Sequence, residues 1–174
     1  MYRPHPIRVA IIIGSIREGR FGPTVARWFT EQAAQRSDLE LDVIDLADTD
    51  LPAVYPQERV GTVQAYVDRL DRADAFVVVT PEYNHGYPAG LKQAIDLAKQ
   101  PWAAKPVGFV SYGGMSGGLR AVEQLRQVFA ELHAVTVRDT VSFHNFPELF
   151  DPSGQLSDPT APNAAAKKML DQLA

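Results

Sequence analysis

The stretch IRVAIIIGSIREGRFGP, residues 7–23, decides the fold. It opens with a dense apolar run, Ile7–Ile13, rich in β-branched residues and broken only by Arg8. Such a run reads as a strand buried on both faces. It stops at Gly14, passes through a loop of glycine, serine and arginine, and meets Pro23, a favoured first residue of a helix. Gly22 is a possible N-cap. A buried strand feeding a helix through a polar loop is the first half of a βαβ unit.

The same alternation continues along the chain. Leu39–Leu46, Ala75–Thr80, Lys105–Ser111 and Ala134–Phe143 read as four more strands. Helical spacing of apolar residues marks Pro23–Arg36, Arg59–Arg72, Pro88–Lys99, Gly118–Leu132 and a short final helix, Ala164–Leu173. On this reading Val60 and Leu119 lie on core-facing helix faces, and Trp28 and Phe29 belong to a core or an interface. Five strands alternating with helices predict an α/β fold of the flavodoxin-like type. It has three layers, α/β/α, around a five-stranded parallel sheet in the order 2-1-3-4-5. The opening MYRPHP reads as a lead-in.

Composition narrows the function. The 174 residues suit a single domain, 1–174. Seventeen basic against twenty-one acidic residues leave a net charge of −4 without a basic block, so no nucleic-acid partner is expected. There is no cysteine, which excludes disulfides and thiolate chemistry and fits a cytoplasmic location. The apolar run before Gly14 is too short for a membrane span. The four histidines show no metal-ligand spacing, so no metal is expected.

In a doubly wound sheet the ligand sits beyond the carboxyl ends of the strands where the strand order reverses. For this order the point lies between the first and third strands. Special loops follow those strands and the fourth: GSIREGRFG, PEYNHGYP and SYGGMSGG. The loop after the second strand, ADTDLPAVYPQ, shows no comparable concentration of glycine and hydrogen-bonding residues.

The first loop reads as an anion cradle at a helix N-terminus, with Arg17, Arg20 and the Ser15 hydroxyl adding to the free amides. Gly14 and Gly19 have Walker A spacing, but Arg20 and Phe21 replace the Lys and Ser/Thr that grip phosphate and Mg²⁺. An ATP-type grip is therefore disfavoured. The second loop offers the Tyr83 ring and the Asn84 amide, and the third lets main chain run close to a flat ring.

A rival motif overlaps the third loop. GMSGG, Gly114–Gly118, matches the nucleophile elbow G-x-S-x-G, and would make Ser116 the nucleophile of an esterase. Its acid and histidine would have to be Asp139 and His144, which are poorly spaced for that work.

Together the segments GSIREGRFG (14–22), PEYNHGYPAGLKQAID (81–96) and SYGGMSGGLRAVEQLR (111–126) resemble the NADPH-dependent FMN reductase family, flavodoxin-like quinone, azo-dye and chromate reductases among them. The resemblance implies FMN as cofactor, NADPH or NADH as co-substrate and a small-molecule electron acceptor. It assigns the 5′-phosphate to Ser15, Arg17, Arg20, Phe21 and Gly22. It assigns the isoalloxazine to Pro81, Glu82, Tyr83 and Asn84, with His85 adjacent, and to Ser111, Tyr112, Gly113 and Gly114. No catalytic acid or base is implied, since the hydride chemistry belongs to the flavin; Tyr83 is expected to shape the open flavin face. Many members carry a serine where this chain has Arg20. The resemblance also implies a homodimer or homotetramer. It favours packing across that dimer for the aromatic segment FHNFPELF, Phe143–Phe150, over covering the sheet edge within one chain. A non-catalytic flavodoxin-type electron carrier is the alternative of a different class.

Overall fold

The computed structural model describes residues 5–174; residues 1–4 of the MYRPHP lead-in lie outside them. The central strand is β3 (Ala75–Pro81), and all seven of its residues are buried, Thr80 being the one polar side chain among them. On one side it pairs in parallel with β1 (Ile7–Ile13), which pairs with β2 (Leu39–Asp45). On the other it pairs with β4 (Pro106–Tyr112). The order β2-β1-β3-β4-β5 is the expected one.

The two faces of the sheet carry separate cores. On β1, Ala10 and Ile12 point to one face, and Val9, Ile11 and Ile13 to the other. The first face is covered by α2 (Thr62–Arg72), α3 (Ala89–Leu97) and α4 (Leu119–Glu131). The second is covered by α1 (Gly22–Ala33) and α5 (Thr160–Leu173). Each fully buried Val, Ile or Phe contributes about 1.5–3 kcal/mol, so the sheet is fixed chiefly by this double burial. Trp28 and Phe29 are core residues of α1, and the Trp28 indole N–H donates to Asn163 of α5.

Four expectations are corrected. The single fifth strand is broken into β5 (Val135–Thr136) and β6 (Val141–Phe143), both paired with β4. Between Val135, opposite Pro106, and Val141, opposite Val110, this side has six steps of chain against four on β4. The excess bulges out, and the Arg126 guanidinium takes up the carbonyls of Val137 and Arg138. Helix α2 starts at Thr62, because Gly61 has φ +59° and ends the approach, so Val60 is exposed. Leu119, the first residue of α4, is likewise exposed.

The aromatic segment is the fourth correction. Phe143 and Phe150 are buried, and Phe146 packs against the α1/α5 core. Phe146 and Phe150 lie 4.8 and 5.2 Å from the ring of Phe21, and Phe143 lies 5.0 Å edge-on to Trp28. These rings complete the protomer's own core beneath the first loop, rather than presenting an apolar face to a second chain.

Candidate functional site

Because β1, β3 and β4 are neighbours running the same way, their three carboxyl-end loops stand side by side. The first loop leaves β1 at Gly14, whose amide still donates to Val79 of β3. A Cβ there would lie 2.9 Å from Leu91 Cδ2, so the chain passes too close to α3 for a side chain. Beyond it, the main-chain bonds nearly cease. Among the described residues, the amide of Arg20, bonded to the Arg17 carbonyl, is the one between Ser15 and Gly22 that donates within the protein. The loop therefore offers a row of open donors leading into the N-terminus of α1. Phe21 stands at the N-cap and supplies no side-chain bond, and the first turn holds no acidic residue. This is the arrangement that accepts an anion.

The side chains of this loop divide. Ser15 is fully buried and its hydroxyl shares a 2.7 Å bond with the Tyr83 hydroxyl. Arg17 is exposed and makes no ion pair among the described residues. Phe21 belongs to the aromatic cluster below. Gly22 is the first residue of α1 rather than its cap, and a Cβ there would meet Ile13 Cγ2 at 2.9 Å and the Tyr112 hydroxyl at 3.1 Å.

Arg20 differs from expectation. Its Nη1 donates to both carboxylate oxygens of Asp45, at 2.8 and 2.9 Å, in a mostly buried pair. The expected phosphate ligand is thus already held by a carboxylate at the end of β2.

The second loop is a tight turn. Tyr83 and Gly86 exchange both main-chain bonds, and Asn84 and His85 between them have φ of +50° and +70°. Two successive left-handed residues without a glycine are costly, of order 1–3 kcal/mol each, and such strain collects at binding sites. Gln124 of α4 holds the turn by donating to the His85 carbonyl. Pro81, buried, ends β3 opposite Tyr112. Glu82 points elsewhere than expected: its carboxylate accepts from the Arg120 amide at 3.1 Å and from Arg120 Nη1 at 2.8 Å, at the N-terminus of α4. Burial raises its pKa, but bonds from Ser116 and from Arg120, with the charge of Arg120, outweigh burial and leave it below the ordinary glutamate value.

The third loop folds back on itself. The buried Ser111 hydroxyl donates to the Gly117 carbonyl at 2.8 Å, and Ser142 donates to the same oxygen. Gly118, at φ +86°, is required here because a Cβ would come within 2.7 Å of Ser111 Cβ. The amides of Gly113 and Asn145 bond to Phe143 and Gly114 carbonyls, so β6 and its continuation brace the loop. Tyr112 brings its hydroxyl under the first loop. That hydroxyl is buried and has no hydrogen-bond partner among the described residues, and burial pushes its pKa well up. An unpartnered buried donor beside open amides suits an anionic ligand.

The esterase constellation does not assemble. Ser116 faces Glu82, not a histidine. His144 Nδ1 donates to the Met115 carbonyl and its Nε2 contacts Ser142, while Asp139 lies against Gln172 and Lys168 of α5.

Three features escaped the sequence reading. Asp45 could have been noticed as a carboxylate at the end of a strand beside the switch point. Gln124 gives no local signal. The loop after β2, passed over for its lack of glycine, lines a cavity of about 680 Å³. Its residues 46–53 face Ile16 of the first loop and Ala89, Gly90 and Gln93 of α3. Among the described residues no helix is long and apolar enough to cross a membrane, and no group of three or more metal-ligating side chains occurs.

Comparison with known proteins adds to this geometry. A family model described as NADPH-dependent FMN reductase matches residues 7–148. An NAD(P)H-dependent FMN reductase of Schizosaccharomyces pombe is 38% identical over 133 residues, 70% of this chain and 64% of that protein, so the matched part falls just short of two thirds of its length. A quinone reductase of Pseudomonas putida is 34% identical over 167 residues, 88% of this chain and 87% of that protein. The solved structure of a flavoenzyme NAD(P)H:(acceptor) oxidoreductase from Paracoccus denitrificans superposes with a TM-score of 0.80 at 22% identity, over 96% of this chain and 97% of that one. The last likeness establishes the fold.

Proposed function

The chain belongs to the NADPH-dependent FMN reductase family, and we propose on that premise that it is an FMN-dependent NAD(P)H oxidoreductase. Hydride from NADPH or NADH passes to FMN and on to a small-molecule acceptor: a flavin, a quinone, an azo compound or a metal oxyanion. The observation that carries this reading is the row of amides from Ser15 to Gly22, open except at Arg20, beside the unpartnered Tyr112 hydroxyl. A dianionic phosphate is the ligand whose acceptors match that donor set.

The residues divide the work. The amides of the first loop, Ser15 and the free guanidinium of Arg17 hold the phosphate, with Arg20 contributing the nitrogens that Asp45 leaves open. Phe21 and Gly22 give the close approach to α1. The Tyr83–Gly86 turn and the Ser111–Gly114 segment flank the ring, with Tyr83 shaping the exposed face and Pro81 fixing the path into the turn. Glu82 acts through Arg120 and α4, as a positioning residue for this turn. When bound, FMN supplies the acceptance and release of hydride, so the chain needs no acid or base of its own. Its task is to fix the ring and leave one face open.

Residues 1–174 form one domain in this reading, and the protein works in the cytoplasm as a homodimer or homotetramer. Val54, Tyr55 and Val60 after β2 are exposed apolar side chains that a second copy would cover. Quinones come first among the acceptors, because the P. putida relative is a quinone reductase. The test is steady-state oxidation of NADPH with added quinone, with and without FMN. Turnover that depends on FMN supports the proposal. A protein that binds FMN without turnover is a carrier, and one that ignores FMN is neither.

A further inference from the structure

Asp45 sits where it can decide how tightly the first loop holds its ligand. Its carboxylate is largely buried, accepts the Ala47 amide at 3.0 Å, and accepts from Arg20 Nη1 with both oxygens. Its own main-chain carbonyl is tied to the Thr49 hydroxyl at 2.7 Å. The carboxylate is therefore held in place by the turn that follows β2, and Arg20 comes to it. Glu18 in the loop itself, and Asp48 and Asp50 on the adjoining cavity wall, are further negative charges near the same end of the sheet. The cation that stands at the start of α1 is thus neutralised before any anion arrives.

We infer that Asp45 is a specificity- and affinity-setting residue, a built-in competitor with the flavin phosphate for the Arg20 guanidinium. This rests on the FMN reading of the site. A phosphate entering the cradle must share Arg20 with a carboxylate that does not leave, and so meets a guanidinium whose charge is already paired. The consequence is a weakened grip on FMN, which makes the flavin an exchangeable ligand of this chain rather than a permanently seated one. Riboflavin has no phosphate and is indifferent to the competition.

The experiment measures dissociation constants for FMN and for riboflavin by quenching of flavin fluorescence, in the wild-type chain and in Asp45→Asn, Arg20→Ala and the double variant. Asn keeps the oxygen that accepts the Ala47 amide, and Asp45→Ser serves as a second neutral replacement. The expected result is FMN binding about three- to tenfold tighter in Asp45→Asn, with riboflavin binding unchanged. In the Arg20→Ala background the same substitution tightens FMN binding by less than about twofold. FMN binding that is unchanged or weaker in both neutral variants overturns the inference. So does a full tightening that survives the loss of Arg20, since competition for that guanidinium could not then be its cause. Wild-type protein that quenches neither flavin contradicts the FMN reading beneath it, which separates the two failures.

Discussion

Ser15 and Tyr83 share a 2.7 Å hydrogen bond between their hydroxyls, joining the loop after β1 to the turn after β3. Ser15 is fully buried, so this bond is shielded from water on one side. It couples the part of the site that receives the anion to the part that flanks the ring. Ser15→Ala and Tyr83→Phe should each weaken FMN binding by about three- to tenfold, the range of one neutral hydrogen bond. Because both remove the same bond, the double variant should fall well short of the product of the two losses. Fully multiplicative losses, measured by fluorescence titration, would show that the two residues act apart.

Arg17 is the cation of the first loop that no carboxylate holds among the described residues. Arg17→Ala should lower FMN affinity at least about tenfold, the loss of one charge-assisted bond, and leave riboflavin affinity unchanged. Equal losses for both flavins would place the phosphate elsewhere.

Tyr112 gives a prediction with opposite signs for two measurements. Its hydroxyl is buried without a partner in the free protein, a state that costs stability. Tyr112→Phe should therefore leave the melting temperature of the free protein unchanged or raised. The same substitution should weaken FMN binding about three- to tenfold, because the donor awaiting the phosphate is gone. A lowered melting temperature would mean that the hydroxyl is already satisfied.

Glu82 links the site to pH. Its folded pKa lies below the ordinary glutamate value, so it stabilises the fold above the unfolded value, and this contribution is lost as pH falls through the folded one. Glu82→Gln should cost about 1–3 kcal/mol near neutral pH. The gap between wild type and variant, followed by thermal or urea unfolding, should shrink progressively below the usual carboxylate range. A gap that stays constant into acid would remove the ion pair with Arg120 from the account.

The path of the fold was largely legible because its strands are buried on both faces. Seven buried residues in a row in β3 leave one reading, and the 3.6-residue spacing of the helices leaves little more. Val60 and Leu119 failed at helix starts, and the other failures were set by contacts outside the local segment. The split of the last strand depends on Arg126 of α4 taking up two carbonyls. The inward turn of Phe146 and Phe150 depends on Phe21, more than a hundred residues earlier. The candidate site followed the same rule. Its three loops could be located from glycine, proline and strand ends, since local chain shape demands those residues. The partner that Arg20 chooses could not, because Asp45 meets it only once β1 and β2 are side by side. Glu82 was placed on the ring by resemblance, whereas its carboxylate is turned to the start of α4.

The central claim is that this chain transfers hydride from a nicotinamide donor to FMN held at the loops after β1, β3 and β4. Anaerobic addition of NADPH or NADH to protein saturated with FMN tests it most directly, with the visible flavin absorbance as the readout. The absorbance should bleach within the mixing experiment, and return when a quinone is added. Flavin that binds yet keeps its colour with both nucleotides would contradict the account.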